Sequence, residues 1–186
     1  QWEAAARDGL AELRARHERV AVVGLSMGGA LAATICAGDA GVPALVLLAP
    51  YLDAPAGLRR VATARHLVSA GFVYFAATDP RSIHDPVERA QSLGYQTATP
   101  RLVHELVGVA DRGRAALARV TAPALLVQSR EDSRLSSAVA EQAFHSLGST
   151  DKRLVWLEGC GHVITVDFGR ERVARLVAEW LQRAVR

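Results

Sequence analysis

The stretch Val20-Ala21-Val22-Val23-Gly24-Leu25-Ser26-Met27-Gly28-Gly29-Ala30 constrains the fold more than any other in the chain. The apolar run before Gly24 reads as a strand, and Ala30, Leu31, Ala32, Ala33 and Ile35 read as a helix of small and apolar residues. Between the two, Ser26 stands in a turn with a glycine two residues to either side. A strand that passes directly into a helix forces the turn residue into a strained backbone conformation. The spacing therefore predicts that Gly24 and Gly28 must both be small, because side chains there would collide. Such a turn lifts the Ser26 hydroxyl clear of the sheet edge. It also points the Met27 N–H, at the helix N-terminus, toward any negative oxygen that forms beside the serine. This is the strand–turn–helix pattern of a nucleophile elbow, and it makes Ser26 the candidate nucleophile and Met27 a candidate oxyanion donor.

The rest of the chain is arranged around this turn. An amphipathic helix is expected over residues 2–17, with Trp2, Ala6, Leu10 and Leu13 on one face. The elbow strand follows at 19–25 and its helix at 27–39. Val42 to Pro50 is a continuously apolar strand, as burial on both faces of a parallel sheet requires. Residues 51–119 break the rhythm with two helical patterns, at 56–70 and 100–118, around an irregular proline-containing part. That length is too great for a loop, and it reads as a small helical cap over the C-terminal edge of the sheet. Strands resume at 122–129 and 152–158, with helices at 136–147 and 168–185. The expected organisation is core at 1–50, cap at 51–119 and core at 120–186, in an α/β fold with a parallel sheet and helices on both faces.

A serine hydroxyl needs a base beside it and a group to hold that base. In an open parallel sheet these come from loops at the C-terminal ends of strands. Of the six histidines, only His162 stands in a glycine-flanked loop directly after a core strand. Asp132 follows the third core strand by a few residues and is the candidate acid. Glu131 is the neighbouring alternative, and Asp167 reads as a cap for the last helix. The order Ser26, Asp132, His162 is that of α/β-hydrolases. Leu67, Val68, Phe72, Val73, Tyr74 and Phe75 are candidates to line an acyl pocket or to form the packing face of the cap.

Gly24-Leu25-Ser26-Met27-Gly28-Gly29, the loop 129–132 and Gly161-His162-Val163-Ile164-Thr165-Val166-Asp167 resemble the bacterial carboxylesterases and monoacylglycerol lipases of the α/β-hydrolase fold. The resemblance implies a serine ester hydrolase acting through an acyl-enzyme on a small-molecule ester or acylglycerol. It implies no cofactor and no metal. Thioesterase, acyltransferase and C–C hydrolase chemistries share the same three residues and stay open, as does a fragment inactive without its N-terminal half. The family places further strands, and a second oxyanion donor on a His-Gly-type loop, ahead of the segment that Gln1-Trp2 matches. On that basis the elbow strand is expected at a sheet edge and these 186 residues alone are expected to be weakly active.

Composition removes other classes. Half of the residues are hydrophobic and 22% are charged, a globular balance, and the formal net charge is +3. No run of Lys and Arg interleaves with aromatics, which argues against a nucleic-acid partner. The apolar runs are too short to span a membrane and none is a signal peptide. Cys36 and Cys160 lack metal-ligand spacing. These features lead to the expectation of a cytoplasmic protein.

Overall fold

A computed structural model describes residues 1–64, 75–76, 79–93 and 97–184, with the side chains of 75–76 excepted. Among them, helix α1 covers Trp2–Arg14, strand β1 Val22–Leu25, α2 Met27–Cys36 and β2 Leu45–Leu48. Next come α3 at Ala56–Thr63, the two-residue strand β3 at Phe75–Ala76, a 3₁₀ turn at Pro80–Ser82 and the short α4 at Pro86–Ala90. A second two-residue strand, β4 at Thr97–Ala98, leads into the long α5 at Pro100–Ala116. The chain closes with β5 at Ala124–Ser129, α6 at Ser137–Ser146, β6 at Lys152–Leu157 and α7 at Arg170–Ala184.

Four strands form a parallel sheet in the order β1-β2-β5-β6. The two-residue period of the strands divides their side chains between two cores. Leu45, Leu47, Ala124 and Leu126 face α2, α5 and α6, with Ala6 and Leu10 of α1 packed alongside. Val46, Leu48, Leu125, Val127, Val155 and Leu157 face Val173, Trp180 and their neighbours on α7. Helices thus cover both faces, which bears out the α/β reading and explains why β2 reads as an unbroken apolar run. β1 stands at one edge of the described sheet, and there Val23 is 45% exposed.

Within residues 51–119, the helices α3 and α5 have different attachments. Tyr51, Ala54, Ala62, Val103, Val107 and Ala110 form a small third core with Leu135, and Arg59 links α3 to α5 through Asp111. α5 also lies directly on α2: Gly113 approaches so closely that a Cβ there would stand 2.7 Å from the Ala30 carbonyl oxygen. β3 and β4 pair antiparallel, a ribbon that the sequence pattern did not predict, because two residues are too few to show a period. The second half of the helix expected at 56–70, and the pocket candidates Leu67, Val68, Phe72, Val73, Tyr74 and the side chain of Phe75, lie outside the described residues.

Candidate active site

The elbow is anchored on both sides. Ser26 N–H donates to the Leu48 carbonyl at 2.9 Å, and the Ser26 carbonyl accepts from Tyr51 N–H and Gly29 N–H, each at 2.9 Å. These bonds hold Ser26 at φ 52° and ψ −118°, where a side chain costs roughly 1–3 kcal/mol. A Cβ on Gly24 would lie 2.2 Å from the Gly28 carbonyl oxygen, so the expectation for Gly24 agrees with the geometry. The expectation for Gly28 does not. A Cβ there would meet no heavy atom of the described residues within 4 Å, because α2 turns that position outward. The second tight glycine is Gly29, whose Cβ would stand 2.8 Å from Pro50 Cβ. Met27 is the first residue of α2, so its N–H has no intrahelical acceptor.

Two loops, after β5 and after β6, bring an acid and a base to this serine. His162 Nε2 lies 2.7 Å from Ser26 Oγ, and His162 Nδ1 lies 2.8 Å from Asp132 Oδ2. With Nδ1–H donating to the carboxylate, Nε2 is left as the acceptor for the serine hydroxyl. The His162 side chain is 8% exposed and that of Asp132 is fully buried. Burial alone would raise the Asp132 carboxyl. The hydrogen bond and charge of His162, with the backbone N–H groups of Arg134 and Leu135, outweigh it and hold the carboxyl below its ordinary value. Glu131, the alternative acid, points elsewhere and accepts from Gly159 N–H at 2.6 Å. Among the other histidines, His104 Nδ1 sits 3.2 Å from the Ala62 carbonyl oxygen, and His84 bonds through its backbone to Asp167.

Asp167 does not cap α7 with its side chain; that helix begins at Arg170. Its fully buried carboxylate instead accepts four backbone N–H groups, from Gly161 at 2.7 Å, His84 at 2.8 Å, and Asp85 and Phe168 at 2.9 Å each. It ties the loop that carries His162 to the segment around residue 84. Those bonds overcome burial and hold this carboxyl below the ordinary range as well. Two further residues link the loops. Ser129 Oγ donates to the Cys160 carbonyl at 2.5 Å, and Gln128 Nε2 donates to Asp132 Oδ2 at 2.6 Å. No sequence pattern marks either, although Gln128 is the one amide in β5. Burial pushes the Cys36 thiol up to about 12, and burial also raises Cys160, so neither is poised as a thiolate. Among the described residues, no group of three or more His, Cys, Asp or Glu could hold a metal ion, and no helix is long and apolar enough to cross a membrane.

A parallel sheet clad on both faces, with a serine elbow and converging loops, defines the α/β-hydrolase class. Residues 6–168 match the family model described as "Serine aminopeptidase, S33". The chain belongs to that family. It is 25% identical to the thermostable monoacylglycerol lipase of Bacillus sp. (strain H-257), in an alignment covering 98% of this chain and 70% of the relative. A carboxylesterase of Bacillus subtilis (strain 168) is 34% identical over 64 residues, 34% of this chain and 26% of the relative. Among solved structures, the monoacylglycerol lipase of Paleococcus ferrophilus superposes with a TM-score of 0.82 at 19% identity, over 98% of this chain and 76% of that one. At that identity the likeness speaks for the fold alone.

Proposed function

We propose that this protein is a serine carboxylic-ester hydrolase of the carboxylesterase or monoacylglycerol lipase kind, with Ser26 as nucleophile, His162 as base and Asp132 as the acid that holds it. The observation that carries the reading is the continuous hydrogen-bond line from Ser26 Oγ through both nitrogens of His162 to Asp132 Oδ2, at 2.7 and 2.8 Å. Ser26 Oγ attacks the ester carbonyl carbon while its proton passes to His162 Nε2. The resulting oxyanion is met by the Met27 N–H at the positive end of α2. His162 then gives the proton to the leaving alkoxide, and the alcohol departs from the acyl-enzyme. A water deprotonated by His162 attacks the acyl carbon and restores Ser26. Asp132 fixes the tautomer and stabilises the imidazolium throughout.

The same reading takes residues 51–119 as the cap and a small ester or acylglycerol as substrate. It places the protein in the cytoplasm, where the two unpaired, buried cysteines fit a reducing compartment. The test is a fluorophosphonate probe with a panel of p-nitrophenyl esters, monoacylglycerols, thioesters and aminoacyl anilides. The expected result is labelling of the folded protein, abolished in Ser26→Ala, with esters as the best substrates. Ser26→Ala lowers kcat by roughly 10⁶ and Asp132→Asn by roughly 10⁴. Undiminished labelling of Ser26→Ala, or preference for the anilides, overturns the reading.

A further inference from the structure

β5 runs Ala124-Leu125-Leu126-Val127-Gln128-Ser129, and every one of its residues is buried. Gln128 is 0% exposed, yet its Oε1 finds no hydrogen-bond partner among the described residues. An amide left half unsatisfied in a core is unfavourable against an apolar residue of the same size. Stability of the strand therefore gives no reason for it. Its other end does. Gln128 Nε2 donates at 2.6 Å to Asp132 Oδ2, the same oxygen that accepts from His162 Nδ1 at 2.8 Å. Asp132 Oδ1 is occupied separately, by the backbone N–H groups of Arg134 at 2.7 Å and Leu135 at 3.0 Å. The carboxylate is thus clamped at both oxygens, and Gln128 supplies the only side-chain donor besides the histidine among the described residues.

We propose that Gln128 is a positioning residue for the relay: it orients the Asp132 oxygen that holds His162 and, by sharing that oxygen, limits its hold on the protonated imidazole. The proposal rests on the triad reading above. A hydrogen-bond donor on a carboxylate oxygen draws off part of its negative charge. Without the amide, Oδ2 binds protonated His162 more strongly, so the neutral base forms only at higher pH. The carboxylate also loses one of its four restraints. The titratable and charged groups near this pair are Cys160 and Asp167 on the β6–α7 loop, Asp167 held by the Gly161 N–H, and Glu131 and Arg134 on the acid loop, where Arg134 Nε donates to Ser82 Oγ at 2.9 Å. Cys160 feels the charges of Asp132, Glu131 and Asp167, while Glu131 is engaged with Gly159 N–H. Gln128 carries no charge, so its removal alters the line without adding or deleting an ion.

Gln128→Met keeps length and volume and removes the donor. With p-nitrophenyl butyrate, the acid limb of its kcat/KM profile is expected to move up by about half a pH unit, and kcat to fall about 10-fold through looser geometry. The downfield proton resonance of the His162–Asp132 bond should shift with it. A folded Gln128→Met with the parental acid limb and an unmoved resonance overturns the proposal. Should that variant not fold, Gln128→Glu puts the same question. Its neutral carboxyl donates to Oδ2, and its ionisation sets two carboxylates together, adding an alkaline limb that the parent lacks; a parental profile overturns the proposal. Undiminished probe labelling of Ser26→Ala sinks the triad reading instead, so the two failures are distinct.

Discussion

Ser26 holds a positive φ because its N–H and carbonyl are both taken up outside its own turn, by Leu48 and Tyr51 of the neighbouring strand and its exit. Ala49, next to that anchor, is itself at φ 42°, so two left-handed residues without glycine's freedom face each other across β1 and β2. Their cost, roughly 1–3 kcal/mol each, is offset only while the backbone around them stays packed. The same dependence on packing separates the glycines. Gly24→Ala sets its Cβ 2.2 Å from the Gly28 carbonyl oxygen. It should lose about 1–3 kcal/mol of stability as the elbow shifts to relieve the contact. Gly28→Ala meets no heavy atom of the described residues within 4 Å and replaces a helical glycine, so it should gain about 0.5–1 kcal/mol. Urea denaturation of the two variants checks the pair; equal losses would mean that the elbow tolerates no Cβ on either side.

At the scale of elements, the working unit is the β6–α7 loop together with residues 79–85. Asp167 binds the two through four N–H groups, and Val163 N–H donates to the Ser82 carbonyl at 2.9 Å. Gly161 makes the contact possible, since a Cβ there would stand 2.3 Å from the Arg81 carbonyl oxygen. Gly161→Ala must therefore part the segments and drag the adjacent His162. We expect kcat to fall roughly 100-fold with a loss of about 1–3 kcal/mol. Paired kinetics and thermal melts check it, and kcat within twofold of the parent refutes it. Much of this frame was legible in advance. β2 announces itself as an unbroken apolar run, β5 by its apolar stretch Ala124–Val127, and His162 as the residue that follows two loop glycines, Gly159 and Gly161, after a strand. The clamp residues were not, because the role of Asp167 depends on His84 and Asp85, which are 83 and 82 positions away. No local pattern encodes that separation. Gln128 lay hidden for a different reason: a lone amide at a strand end reads as an ordinary edge residue until its burial is known.

At the scale of the whole molecule, five aspartates among the described residues are held below their ordinary range, and their surroundings decide which matter for folding. Asp39 is lowered chiefly by its hydrogen bond to Arg14, and Asp79, lowered by Arg81, falls to about 2. Burial raises Asp53, but the hydrogen bonds from Arg59 and the Ala54 N–H, with the charges of Arg59 and Arg114, together outweigh it. All three lie in partly open ion pairs, where solvent and salt screen the interaction, so their contribution is small. Asp132 and Asp167 are different, because each carboxylate is enclosed and accepts several N–H groups. A carboxyl whose folded value lies below its unfolded value near 3.9 adds stability that is complete above that value and is lost as pH falls through the folded one. Stability should therefore be flat in these groups from pH 7 down to about 5 and fall steeply below about 4. Asp167→Asn sharpens the test. An amide offers one acceptor oxygen where four N–H groups converge, and turns its own N–H groups on the rest. The variant should be about 3 kcal/mol less stable at pH 7, with a shallower acid slope because one proton uptake is gone. Urea unfolding of both proteins between pH 7 and 2.5 reads the two effects together. A variant that is destabilised at pH 7 but keeps the full acid slope would place the acid sensitivity in other carboxylates.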